Sequence, residues 1–206
     1  MSSLVHKILF RVRKLKQILR TYPKMLFDFL YLRYKGVDTK FGYVRLEGIP
    51  IISKFKGSKI SLGNGCTLVS RSKSNIAGIN HPVIIATLTS HAIISIGNVG
   101  ISGSSICAAK FISIGDYSGL GANSCIYDTD FHPIDAHIRR TKNSIENAKS
   151  KEVKIGKDVW IAANVIILKG VQIGDEAIVG AGSVVTSSIP TKTIYGGNPA
   201  IKIRDL

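Results

Sequence analysis

The chain has 206 residues, 45% hydrophobic and 20% charged, enough for one domain with a sizeable core and short for two. A net charge of +15 raises nucleic acid as a partner, but its distribution argues against one. Residues 1–36 hold nine basic side chains against Asp28 alone, so +8 of the +15 sits in a leading segment. Cys66, Cys107 and Cys125 cannot all pair and show no metal-ligand spacing, so they read as small buried hydrophobes in a reducing cytoplasm.

In the leading segment Leu4, Val5, Ile8, Leu9, Val12, Leu15, Ile18 and Leu19 recur at helical spacing, with basic residues between them. Thr21 and Pro23 read as the cap and first turn of a second helix carrying Met25 to Leu32. Two readings of residues 1–36 stand: packing on the rest of the protein or a neighbouring subunit, or attachment to an anionic membrane face. The apolar run of Met25 to Leu32 falls well short of the ~20 residues a spanning helix needs, and no cleavage site follows a signal-like core. The expectation is a cytoplasmic protein, free or peripheral to the inner membrane face.

A second unit is expected over 37–206. Its first part, Lys40 to Ser74, is strand-like but ragged, as suits the end of a repeat stack. Arg71 to Pro82 is polar and reads as a loop. A countable period follows. Ile96, Ser102, Ala108, Ile114, Leu120 and Ile126 are six apart, though two of them are small or polar. Ile155, Ile161, Ile167, Ile173, Val179 and Val185 repeat the spacing without exception, and Val159, Val165, Val171, Ala177 and Ser183 stand four after the first five. The next position is mostly small, with Leu168 and Thr186 departing. An α-helix cannot keep every sixth residue on one face, because six residues turn it about 600°. A strand-turn unit can, and three units close one triangular coil that stacks on the next about 4.8 Å away.

These repeats, with Val159-Trp160-Ile161-Ala162, Gly180 to Thr186 and the ending Gly197-Asn198-Pro199-Ala200, resemble the hexapeptide-repeat acetyltransferases. The resemblance is greatest to sugar O-acetyltransferases of capsule and lipopolysaccharide biosynthesis and to galactoside and maltose acetyltransferases, and covers roughly residues 50 to 206. It implies an all-β left-handed parallel β-helix, a homotrimer, acetyl-CoA as co-substrate, a sugar hydroxyl as acceptor and no metal.

Counting six from Ile126 lands on His132, but His132 to Ile155 is 23 residues, not a multiple of six. A polar loop is therefore expected over about 130–152, with His132 at its mouth. Imidazole is the side chain whose ordinary titration lies near neutral pH, which suits it to take the proton of an attacking hydroxyl. Asp130 is the favoured partner to fix its tautomer. Strand alternation leaves Asp128 open for that role, and Asn123 is a further candidate for the oxyanion. The resemblance places the catalytic histidine of similar enzymes in a His-Pro, matching His132-Pro133. It also assigns pantetheine contacts to the backbone at Ala163 and Ala181, a flanking aromatic to Trp160, and the nucleotide end to Thr186 and Arg204. Many relatives have Lys after that threonine where Ser187 stands here, so Lys192 or Lys202 is the substitute cation. Three other readings are weighed: N-acetylation of an amino sugar, a zinc site drawn from His81, His91, His132 and His137 as in hexapeptide-repeat carbonic anhydrases, and a silent repeat scaffold.

Overall fold

The computed structural model describes residues 21–141 and 145–206. The basic amphipathic helix expected over 1–20 lies outside the described residues. The chain is helical over 21–34 (α1); Thr21 is already helical and is not the cap expected of it. No helix among the described residues is long and apolar enough to cross a membrane.

From Val44 onward the chain winds a left-handed parallel β-helix with three faces. Face one has eight strands: β1 (Val44–Glu47), β4 (Cys66–Val69), β7 (Gly100–Ser102), β10 (Gly119–Leu120), β13 (Trp160–Ile161), β16 (Ile178–Val179), β18 (Thr193–Gly196) and β19 (Ile201–Asp205). Face two has six: β2 (Ile51–Ser53), β5 (Ile84–Thr87), β8 (Ser105–Ala108), β11 (Cys125–Tyr127), β14 (Ile166–Ile167) and β17 (Val184–Val185). Face three has five: β3 (Lys59–Leu62), β6 (Ile93–Ile96), β9 (Phe111–Ile114), β12 (Val153–Ile155) and β15 (Gln172–Ile173). All pairings between these strands are parallel except the terminal β18–β19 hairpin.

The interior is built of aliphatic columns, one running the length of each face and a second on face three formed by Ile60, Ile94, Ile112 and Val153. Leu46, Leu68, Ile101, Leu120, Ile161 and Val179 stack in register on face one. Ile52, Ile85, Ile106, Ile126, Ile167 and Val185 do so on face two, and Leu62, Ile96, Ile114, Ile155 and Ile173 on face three. Every member is buried. The strict tract from Ile155 to Val185 reads true. In the earlier tract, however, Ile101 and Ile106 hold the stack positions that counting gave to Ser102 and Ala108. The chain advances by five, five and eight residues there instead of six, because the larger side chains fill the column. The ragged first part is a full coil, and α1 closes its open end with Leu32 and Val37 fully buried.

Two segments leave the prism: residues 70–83, between β4 and β5, and residues 128–152, between β11 and β12. The second contains the six-residue helix α2 (Ala136–Thr141) and a 3-10 turn at Ile145–Asn147, elements that its polar sequence did not announce. It rejoins the coil through a Thr129–Ser150 bridge and through Lys151 N–H donating to the Asp128 carbonyl at 2.8 Å.

Candidate active site

The loop departs where Asp128 fastens it to the coil below. This carboxylate is fully buried and accepts the backbone N–H groups of Ala109 (2.6 Å), Lys110 (2.7 Å) and Phe111 (2.7 Å). Burial pushes the carboxyl up from its ordinary value, and the three amides pull it back down. Of the two carboxylates that strand alternation left equivalent, Asp128 is thus committed to backbone.

Asp130 is placed differently. Its Oδ1 lies 2.5 Å from Lys169 Nζ, which rises from the turn after β14 on the following coil. Its Oδ2 is buried and accepts no hydrogen bond. Phe131 then turns the chain with φ +62°, a left-handed conformation that costs a non-glycine residue about 1–2 kcal/mol. The turn is held by Phe131 N–H to Thr129 Oγ1 (3.2 Å), His132 N–H to the Asp130 carbonyl (2.7 Å) and the Phe131 ring edge-on to Tyr127 at 5.1 Å. His132 is exposed, whereas Pro133 beside it is buried. Arg139 Nη1 from α2 donates to the carbonyls of Pro133 and Ile134, both at 3.0 Å. The coil therefore breaks before His132, and the inward position that six-residue counting assigned to it is not used.

The remaining candidates are divided among the edges of the prism. Thr186 follows β17 on the same edge as Asp130 and His132, between faces two and three, and is exposed. Asn123, Ala163 and Ala181 lie on the edge between faces one and two, stacked by Asn164 N–H to the Ala122 carbonyl (2.8 Å) and Gly182 N–H to the Ala163 carbonyl (3.0 Å). The Asn123 amide is engaged: Oδ1 accepts Asn80 N–H at 2.8 Å and Nδ2 donates to the Gly78 carbonyl at 3.2 Å, tying the 70–83 segment to this edge. Trp160, 59% exposed, stands on face one in register with Gly119 and Ile178. Lys202 and Arg204 are exposed on β19, Lys202 Nζ 2.8 Å from Asp205, and Lys192 faces Glu176 at 3.5 Å on the third edge. Among the described residues no three His, Cys, Asp or Glu side chains gather as metal ligands.

Face two separates the two groups, and its strands carry no charged residue, unlike faces one and three. Its outer surface shows Ile51 and Ile166 exposed, with Ile84, Cys125, Tyr127 and Val184 half-buried. Burial pushes the Cys107 thiol on this face up to about 11 and the Cys66 thiol inside the prism up to about 12, so both are protonated at neutral pH. Sequence reasoning missed Lys169. The one signal was Leu168, which departs from the small-residue preference at that corner.

Comparison with known proteins agrees with the fold. Residues 152–187 match the family described as bacterial transferase hexapeptide (six repeats). The chain is 36% identical over 95 residues to the galactoside O-acetyltransferase of Lactococcus lactis subsp. lactis, covering 46% of this chain and 44% of that one. It is 35% identical over 86 residues to WcaF of Escherichia coli, named for a colanic acid biosynthesis acetyltransferase, covering 42% and 46%. A hexapeptide-repeat-containing acetyltransferase of Vibrio cholerae, solved in complex with acetyl coenzyme A, shares the fold at a TM-score of 0.50 and 30% identity, covering 61% of this chain and 65% of that one. The chain spans about half the length of the curated relatives it matches.

Proposed function

We propose that this hexapeptide-repeat chain is an acetyl-CoA-dependent O-acetyltransferase acting on a sugar hydroxyl of a surface polysaccharide or its precursor. The observation that carries the reading is the turn that holds His132 exposed outside the coil two residues after Asp130, its backbone N–H bonded to the Asp130 carbonyl. Lys169 pairs with Oδ1 of Asp130, and in this reading the Asp130 carboxylate orients the His132 imidazole. His132 then takes the proton of the sugar hydroxyl as its oxygen attacks the acetyl carbonyl. The tetrahedral intermediate collapses by breaking the carbon–sulfur bond, and the departing CoA thiolate recovers the proton from the imidazolium.

Acetyl-CoA is the group that supplies the activated acyl carbon. Backbone groups at Ala163 and Ala181 line its pantetheine arm, Trp160 flanks it, and Thr186 with Lys202 or Arg204 meets its nucleotide end. A sugar acceptor is favoured by the galactoside and colanic acid names of the similar proteins. One prism cannot bring its His132 edge to its own Ala163–Ala181 edge, since face two lies between them. A homotrimer in which each charge-free face two is covered resolves this: the catalytic turn of one copy meets the donor edge of the next.

The test is acetyl transfer from acetyl-CoA to galactosides and to the host's own polysaccharide repeat, read as CoA released and as an acetyl increment on the sugar by mass spectrometry. His132→Ala should lower kcat by about 10² to 10⁴. A variant that releases CoA as fast as the parent on an acceptor that the parent acetylates removes His132 from the mechanism.

A further inference from the structure

Helix α1 turns large apolar side chains to the outside. On its packed side Asp28, 3% exposed, accepts Lys24 Nζ at 2.8 Å and Leu46 N–H at 3.0 Å, and the half-exposed Lys24 also donates to the Leu46 carbonyl. Tyr31 OH donates to the Pro50 carbonyl at 2.7 Å, and Leu32 is fully buried beneath. The opposite side is mostly apolar, with Arg33 the exposed cation among its residues. Tyr22, Leu26, Leu30 and Tyr34 recur every four residues with Phe27 beside them, and their exposures are 51%, 39%, 55%, 84% and 52%. Phe41, packed on Tyr22 at a ring distance of 5.2 Å, widens the stripe. A continuous aromatic and aliphatic stripe on an outer helix marks a surface that works against something other than water.

Charge identifies what that is. Residues 1–20, which run straight into α1, contain Lys7, Arg11, Arg13, Lys14, Lys16 and Arg20 and no acidic residue. Beside the stripe itself, Lys35 Nζ lies 5.8 Å from the Tyr34 ring centre, and Arg33 is exposed with Asp38 3.6 Å away. A second copy docked here would bring two such cationic segments together and be repelled. A phosphate-rich surface with hydrocarbon beneath it satisfies both features: Tyr and Phe settle at headgroup level, and each nearby cation strengthens binding about fivefold. The apolar run from Met25 to Leu32 falls well short of the ~20 residues a spanning helix needs, so this face suits the interface.

We propose that the outward face of α1 docks this end of the β-helix onto an anionic lipid bilayer, with the basic residues at 1–20 supplying the electrostatic attraction. The proposal is independent of the transfer chemistry. The full chain is sedimented with vesicles of phosphatidylcholine alone or mixed with phosphatidylglycerol. The expected result is binding to the mixed vesicles that falls about tenfold or more when salt rises from about 0.1 to 0.5 M. Phe27→Ser/Leu30→Ser should weaken binding by about tenfold or more, and Tyr34→Ser provides a second variant at the most exposed position of the stripe. Light scattering and thermal melting of both variants should match the parent. Equal binding to neutral vesicles, or variants that bind as well as the parent, overturns the proposal. So does a change of oligomeric mass in the variants, which would make the stripe an interface between copies.

Discussion

Asp128 and Asp130 are two residues apart and of one chemical type, and what separates them is the set of groups each accepts. Asp128 satisfies three buried amides of Ala109, Lys110 and Phe111, and a hydrogen bond to a charged group contributes about 1.5–3 kcal/mol. Asp128→Asn should therefore lower stability by about 2–4 kcal/mol in urea unfolding, because an amide NH2 must now face N–H donors. A pH dependence follows from burial, which raises this carboxyl in the folded chain. A carboxyl raised by folding holds its proton more tightly than in the unfolded chain. That stabilisation is complete below the ordinary carboxylate range and fades as pH climbs through the raised value. The stability gap between parent and Asp128→Asn should accordingly be wider near pH 4 than near pH 7. Asp130→Asn, by contrast, should leave stability within about 1 kcal/mol and lower kcat about 10²-fold or more if Asp130 orients His132. Equal kcat in parent and variant would assign Asp130 to Lys169 alone.

At the scale of the element, the turns between strands set the tolerance of the coil. A Cβ on Gly115 would come within 2.5 Å of the Gly156 carbonyl oxygen on the next coil, whereas one on Gly119 meets nothing within 4 Å. Gly115→Ala should cost about 1–3 kcal/mol, and Gly119→Ala should be neutral or stabilising by up to ~1 kcal/mol, both read by thermal or urea unfolding. The same architecture explains what could be read beforehand. Ile155 to Val185 declared the fold because each turn there has one length and each aliphatic residue enters one column. Ser102 and Ala108 misled the count because β7 and β8 take shorter steps, and only the pairing of Ile101 with Leu120 and Ile106 with Ile126 shows it. His132 was legible as a break in the period followed by Pro133. The partners that divide Asp128 from Asp130 were not, since the amides come from the preceding coil and Lys169 from the following one, 17–19 and 39 residues away.

At the scale of the whole molecule, the proposed sharing of the site between copies predicts a behaviour that single variants cannot mimic. His132→Ala removes the base edge, and Ala181→Trp, at an exposed corner, fills the donor edge without touching an aliphatic column. Each homotrimer should be inactive, because every interface lacks one half. When the two variants are unfolded together and refolded in equal amounts, random assortment pairs an intact base edge with an intact donor edge at about one interface in four. Activity should then return to about a quarter of the parent value per chain. Recovery near zero, with mixed trimers verified by mass, would mean that base and donor groups serve the same interface from one chain and that the edges separated by face two do not cooperate. A control closes the test: Ile166→Glu on the charge-free face should prevent trimer formation in light scattering and abolish transfer. It should preserve the far-ultraviolet signature of the coil, since Ile166 points away from the column that Ile167 fills.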